Sequence, residues 1–344
     1  MIINQDNSNL IIIEKKNEVY ITVDCESDIQ REISEFFTFY VPGYKFMPAF
    51  RNRMWDGKIR LFSQKTKEIY FGLYPYIKAF AEERGYNIVA GKDIDIDNKV
   101  DKETVTKFSN SLGQKFEARD YQIDAIYHSL KRNRALLLSP TASGKSFIIY
   151  SLIRYYTHLI KEQQNNRILL IVPTTSLVEQ MYTDFESYGW NVKKYCHRLY
   201  SGYSNQTDKK VLISTWQSLY KLPKKYFEQF GCVFGDEAHL FKSKSLTEIM
   251  TKLIDCKYRI GLTGTLDGAH THKLVLEGLF GAVNKVTTTK KLMDKNQLSN
   301  LVVRCLILKH SEANAKMVSK GKYQDEIDYL VGSTSRNNFI RNLA

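Results

Sequence analysis

Beyond about residue 113, short apolar runs recur at intervals that a helix would fill. Ala135–Leu138, Ile168–Val172, Val211–Ile213, Cys232–Phe234 and Ile260–Leu262 are of strand length and largely apolar, the mark of strands buried on both faces. The segments between them are amphipathic. Ile123, Ile126 and Leu130 fall on one helical face, and Leu177, Met181 and Phe185 on another. This alternation predicts βαβ units, and so an α/β domain whose parallel sheet is sandwiched by helices.

The first 91 residues differ. They are aromatic and basic, with a strand-sized run at Leu10–Ile13, and are expected to form a small α+β accessory domain. Residues 92–104, KDIDIDNKVDKET, carry little apolar content and read as a linker or exposed loop. The expected division is therefore 1–91, a linker at 92–112, an α/β domain at 113–305, and a connection at 306–344.

A length of 344 residues suits about two domains. No apolar run approaches the ~18 residues that span a bilayer, so no membrane role is expected. No basic-then-apolar leader is visible, so no secretory signal is expected. The five cysteines form no C-x-x-C pair, which argues against a zinc ribbon or a disulfide framework and for reduced thiols in a cytoplasmic protein. A formal charge of +13 points to a polyanionic partner.

Two segments carry chemistry. Ser139-Pro-Thr-Ala-Ser-Gly-Lys-Ser146 follows an apolar strand and precedes a helical pattern through Phe147, Ile148 and Leu152. That is the context of a Walker A phosphate loop. Thr141, Ala142, Ser143 and Gly144 are small enough for backbone N–H groups to wrap a phosphate at a helix N-terminus. Lys145 supplies a charge between β- and γ-phosphates, and Ser146 a hydroxyl for Mg²⁺. Ser139 stands where the motif has its first glycine. The second segment is Asp236-Glu-Ala-His239, at the end of the Cys232–Phe234 run. Carboxylates at the carboxyl end of a parallel strand suit Mg²⁺ binding by Asp236 and orientation of an attacking water by Glu237.

The motifs in their order resemble those of the superfamily 2 helicases and translocases. Arg119-Asp-Tyr-Gln122 resembles the adenine-reading motif. The resemblance implies that Gln122 reads the base edge and Phe116 stacks on it. Pro173-Thr-Thr-Ser-Leu177 with Gln180 resembles motif Ia, and Ser214-Thr-Trp-Gln-Ser-Leu219 a later DNA-backbone motif, implicating Thr174, Gln180, Thr215 and Gln217 in DNA contact. Asp236-Glu-Ala-His239 is the DEAH form of motif II. Leu262-Thr-Gly-Thr265 resembles motif III, in which Thr263 and Thr265 couple nucleotide to DNA, with His239 linking the two sites. Gly202 resembles a glycine that touches the DNA backbone. Trp55-Asp-Gly-Lys58, Phe280-Gly281 and Lys322-Tyr-Gln324 bring the chain nearer still to the phage recombination helicases. The family implies a RecA-like lobe, ATP and Mg²⁺, and branched or partly single-stranded DNA bound without sequence preference. It further implies action in recombination, repair and fork processing, by a monomer, in the cytoplasm of an infected host.

These motors have two RecA-like lobes. Nothing after Thr265 resembles the Q-x-x-G-R-x-x-R arginines of the second. The chain is therefore expected to lack that lobe, to bind ATP and Mg²⁺, and to hydrolyse weakly alone.

Between Tyr44 and Lys67 seven basic residues, among them Arg51, Arg53, Lys58 and Arg60, accompany one acid, Asp56. Tyr44, Phe46, Phe50, Trp55 and Phe62 interleave with them. The cations suit phosphates or a merely solvated face. The aromatics suit unpaired bases or the core of a small domain. Thr174 and Thr215 suit phosphate oxygens, or equally helix N-caps. Three other readings stay open: a non-catalytic nucleotide- and nucleic-acid-binding module, the motor subunit of a restriction enzyme, and an RNA helicase.

Overall fold

Alternation sets the first strand. In β1 (Leu10–Lys15) Ile11 and Ile13 are buried while Ile12 and Glu14 face out. The computed structural model describes residues 9–94, 97–266, 270–298 and 304–343. It divides into two compact units, Met1–Leu298 and Ser299–Ala344. After β1 come β2 (Tyr20–Asp24), β3 (Thr38–Tyr40), β4 (Lys58–Arg60), β5 (Glu68–Tyr70) and β6 (Asn87–Ala90). One sheet has the order β5-β2-β1-β6, and β3 and β4 form a separate antiparallel ribbon. Helices Ser27–Phe36 and Tyr74–Arg84 cover the sheet through Ile29, Ile33, Ile77 and Phe80. This part is α+β.

Residues 102–110, expected within a linker, form a helix instead, Lys102–Asn110. Asp101 caps it by accepting from the Thr104 backbone N–H at 2.7 Å. Val105, Ser109 and Leu112 are buried. Val105 and Ser109 share one side of the helix and Leu112 follows its end, so a mostly polar stretch still contributes to the core. Polarity hid the helix because only one narrow stripe is apolar.

The second sheet has seven strands, all parallel: β7 (Arg134–Leu138), β8 (Arg167–Val172), β9 (Cys196–Leu199), β10 (Val211–Thr215), β11 (Phe230–Gly235), β12 (Tyr258–Thr263) and β13 (Val283–Lys285). Their order is β13-β7-β12-β11-β8-β10-β9. Each face carries its own apolar cluster, one around Ile148, Ile153 and Tyr156, the other around Phe241, Ile249 and Phe280. This is the RecA-like three-layer arrangement. The five apolar runs are its interior strands. β9 and β13 sit at the edges, where one side needs no partner, and their sequences are correspondingly less apolar.

The accessory domain is fastened to the large sheet by part-buried polar contacts. The Glu18 carboxylate lies 2.8 Å from the Arg134 guanidinium at the start of β7, and the Glu18 N–H donates to the Ile254 carbonyl at 2.8 Å. Tyr76 donates its hydroxyl proton to Glu277 at 2.6 Å. Gly72 packs so tightly on helix His270–Phe280 that a Cβ there would lie 2.0 Å from the Glu277 carbonyl oxygen. Burial works against the charge on Glu18, but Arg134 and Lys15 outweigh it and hold its carboxyl below the ordinary range.

The unit Ser299–Ala344 starts seven residues before the expected boundary at 306. Among its described residues are helices Glu312–Val318, Tyr323–Gly332 and Thr334–Leu343, none with a buried side chain. No helix among the described residues is long and apolar enough to cross a membrane.

Glu18→Ala leaves Arg134 buried without its counter-charge and is expected to cost ~3–5 kcal/mol. Thermal unfolding checks this. Because the folded pKa of Glu18 is depressed, the wild-type advantage should be present at neutral pH and shrink as pH falls through that value. A difference that does not change with pH would contradict the assignment.

Candidate functional site

Parallel strands present their carboxyl ends on one edge, and the chemistry-bearing residues gather there. The loop after β7 leads into helix Lys145–Leu159. Gly144 takes φ +79°, and a Cβ would lie 2.3 Å from the Gln122 amide nitrogen, so both conformation and space call for glycine. Ala142 is also left-handed, with φ 64°. Ser139, at the motif's first glycine position, has no such need. It is buried, and its hydroxyl lies 2.6 Å from that of Ser143, bracing the loop across its base.

The acidic pair follows β11, with β12 between it and β7. Lys145 spans the gap, its Nζ 3.1 Å from Glu237 Oε1. Glu237 is itself left-handed, at φ 49°. Strained backbone at two non-glycine positions of one cluster is typical of sites held by their surroundings. Asp236 is buried, and its Oδ1 has no hydrogen-bond partner. Burial, only partly offset by Lys145, pushes its carboxyl above the ordinary range.

His239 Nδ1 lies 2.9 Å from the Thr263 hydroxyl at the end of β12 and 3.4 Å from Glu237 Oε2. The Thr263 hydroxyl donates its only proton to the Thr265 carbonyl at 2.8 Å. It must therefore accept from His239, which puts a proton on Nδ1. His239, Thr263 and Thr265 thus form one hydrogen-bonded chain, with Glu237 in 3.4 Å contact with its His239 end.

The residues read as base-binding are arranged differently. Gln122 is only 4% exposed. Its amide nitrogen donates to the Ser143 carbonyl at 2.9 Å, and its oxygen accepts from the Arg119 N–H at 2.9 Å. Both ends of the amide are engaged within the protein, so Gln122 ties its helix to the phosphate loop. Arg119 donates from its guanidinium to the Tyr121 hydroxyl at 2.7 Å. Phe116 is 46% exposed, its ring set edgewise against Phe147 at 5.1 Å, beside the loop.

Thr174 and Gly202 follow β8 and β9, and Thr215 ends β10, at the same sheet edge as the 139–146 loop. The Thr174 hydroxyl accepts from the Leu177 N–H at 3.3 Å, as a helix N-cap does. Thr215 is 4% exposed, with its hydroxyl 3.1 Å from that of Ser218. Gln180, Gln217 and Gly202 are exposed. In the accessory domain Arg51 and Arg53 are exposed, Arg60 is paired with Asp56, and Lys58 stands 4.9 Å above the Tyr40 ring. Phe62 belongs to the core while Phe46 is 76% exposed, so the interleaved aromatics divide between the two expected roles.

Two contributors had no sequence signal. The Tyr188 hydroxyl lies 2.9 Å from the Ser146 hydroxyl. Asp184, on helix Thr175–Ser187, also bonds Ser146, and burial pushes its carboxyl up. They reach Ser146 from a neighbouring element, which no local spacing announces.

A RecA-like sheet with the 139–146 loop after β7 and a DEAH turn after β11 has the layout of a superfamily 2 helicase lobe. Residues 115–268 match the family described as "Type III restriction enzyme, res subunit", and residues 11–91 that described as "DNA helicase UvsW, N-terminal". The chain is 33% identical over 334 residues to the ATP-dependent DNA helicase uvsW of Enterobacteria phage T4, covering 94% of this chain and 66% of that protein. A crystal structure of the UvsW helicase from Bacteriophage T4 superposes with TM-score 0.72 at 33% identity, covering 80% of this chain and 99% of that one. A second T4 UvsW structure gives TM-score 0.73 at 31% identity, over 97% of this chain and 66% of the other. The chain belongs to the UvsW helicase family. It spans just under two thirds of the length of the full T4 relative.

Asp236→Asn removes a charge that is costly to bury. It is expected to raise the melting temperature at pH 7 by a few degrees, on the order of 1 kcal/mol. A raised folded pKa means that stability relative to the amide is lost as pH rises through that value. The gap between the two proteins should therefore close at acid pH, and an unchanged or lower melting temperature for the variant would contradict the account.

Proposed function

We propose that this chain is the ATP-binding lobe, with its accessory domain, of an ATP-driven DNA helicase or translocase. The observation that carries the reading is the 3.1 Å approach of Lys145 to Glu237, with His239 tying the acidic turn to Thr263. Lys145 would set its charge against the β- and γ-phosphates while the N–H groups of the loop wrap the β-phosphate. Glu237 would orient and polarise the attacking water. The contact of Glu237 with His239, and the hydrogen bonds from His239 through Thr263 to Thr265, would give a change at the phosphates a path out of the cleft. Gln122 would act by holding the loop, and Phe116 by offering its exposed face to the base.

Ser146 and Asp236 would hold Mg²⁺, which would supply positive charge against the phosphates of the nucleotide. The buried, unpartnered Asp236 Oδ1 suits a hard cation that takes oxygen ligands.

The T4 relative is named a DNA helicase, and DNA is the partner we assign to this basic chain. Gln180, Gln217 and the 202 turn would meet the backbone at the sheet edge, where phosphate contacts carry no sequence information. Lys45, Arg51, Arg53 and Lys58 would add contacts from the accessory domain. The match of residues 11–91 to the UvsW N-terminal family favours this reading over a restriction-enzyme motor.

Lys145→Ala should abolish the rise in melting temperature that ATP and Mg²⁺ give the wild-type chain. Unchanged nucleotide binding would remove the phosphate-loop assignment. If four cations of the accessory domain neutralise phosphates, DNA affinity should drop ~10²-fold between 50 and 200 mM salt. Arg51→Ala with Arg53→Ala should flatten the log–log salt slope by about 2, and a slope equal to wild type would count against the patch.

A further inference from the structure

The segment between β3 and β4 folds on itself. Tyr40 and Tyr44 stack with ring centres 4.7 Å apart, and Phe50 meets Tyr44 edgewise at 4.8 Å. The Trp55 indole N–H donates to the Lys58 carbonyl at 2.9 Å, and the Met54 N–H to the Ala49 carbonyl at 2.9 Å. On this mount lies an open cleft of about 600 Å³. Phe50, Met54 and Trp55 supply its apolar surface, and Lys45, Arg51 and Arg53 its charge. Its one acid, Asp56, is paired with Arg60. Met54 is 75% exposed and nearby Phe46 76%, unusual for apolar side chains with a core within reach.

An intact duplex offers phosphates to such a surface but keeps its base faces stacked inside. A purely electrostatic grip would not need exposed Met and Phe, nor an aromatic floor. An unpaired nucleotide satisfies both parts, with a base face for the apolar floor and a phosphate for the cations around it. The cleft volume also lies in the range of sites for ligands of nucleotide size.

We propose that this cleft between β3 and β4 is a binding site for one unpaired nucleotide of a DNA strand, with the base on Trp55 and Met54 and the adjoining phosphates on Lys45, Arg51 and Arg53. This rests on the DNA reading above and deepens it. It makes the accessory domain a sensor of single-stranded character at a branch. Glu18–Arg134 and Tyr76–Glu277 fix that domain to the motor sheet, so a strand held in the cleft keeps a set register to the edge that carries Gln180 and Gln217.

The test measures affinity by fluorescence anisotropy for two DNAs at one salt concentration, a fork with an unpaired arm and a blunt duplex of the same length. The proteins are the 344-residue chain, a Phe46→Ser, Met54→Ser double variant, Trp55→Ala, and Arg51→Ala with Arg53→Ala. The two exposed serine changes remove no core contact, which guards against a Trp55→Ala chain that fails to fold. The serine variant should lose about fivefold or more on the fork and less than twofold on the duplex, with its salt slope unchanged. The arginine variant should lose on both. Equal losses on fork and duplex, or no loss on the fork, for the serine variant would overturn the nucleotide site while leaving the cation contacts standing. Failure of the wild-type chain to bind either DNA would overturn the DNA reading itself, and this one with it.

Discussion

Charge compensation at one sheet edge is the constraint around which the molecule is organised. Neighbouring strands lie about 4.8 Å apart, so the ends of β7 and β11, separated by β12, stand roughly 10 Å from each other. Two carboxylates on one side and an ammonium on the other would be costly to bury singly. The Lys145 side chain is long enough to cross the intervening strand and meet Glu237. Asp236 is left with one unpartnered oxygen and a raised pKa, a state that favours any cation able to enter.

That edge is held rigidly from beneath. Ser139 and Ser143 brace the loop, Gln122 ties it to the preceding helix, and Ser139 also donates its N–H to Thr263 at 2.8 Å. The loop, the DEAH turn and motif III are therefore parts of one bonded network. Left-handed backbone at Ala142 and Glu237 persists because this network over-determines both positions. The same network fixes Gln122 against the loop, with one amide proton and one carbonyl lone pair engaged.

Rigidity extends to the accessory domain. Its core includes Leu274 from the helix His270–Phe280, and Gly72 and Gly278 allow backbone approach where a side chain would clash. The two sheets are fused by contacts as close as those within either one. Such an arrangement makes the accessory domain and the large sheet pack as one body.

Much of this was legible in the chain itself. Interior strands declare themselves because burial on both faces requires continuous apolar runs, and the tight 139–146 turn into a helix because small residues stand together there just before Lys145 and Ser146. The DEAH turn is local for the same reason. What only the tertiary structure decided concerns partners distant in sequence: Tyr188 and Asp184 at Ser146, Glu18 at Arg134, the separation of Phe46 from Phe62, and the polar helix at 102–110 with its narrow buried stripe. Composition tells which side chains can be buried or paired. Which ones are depends on neighbours brought in from elsewhere in the fold, and no local spacing encodes them.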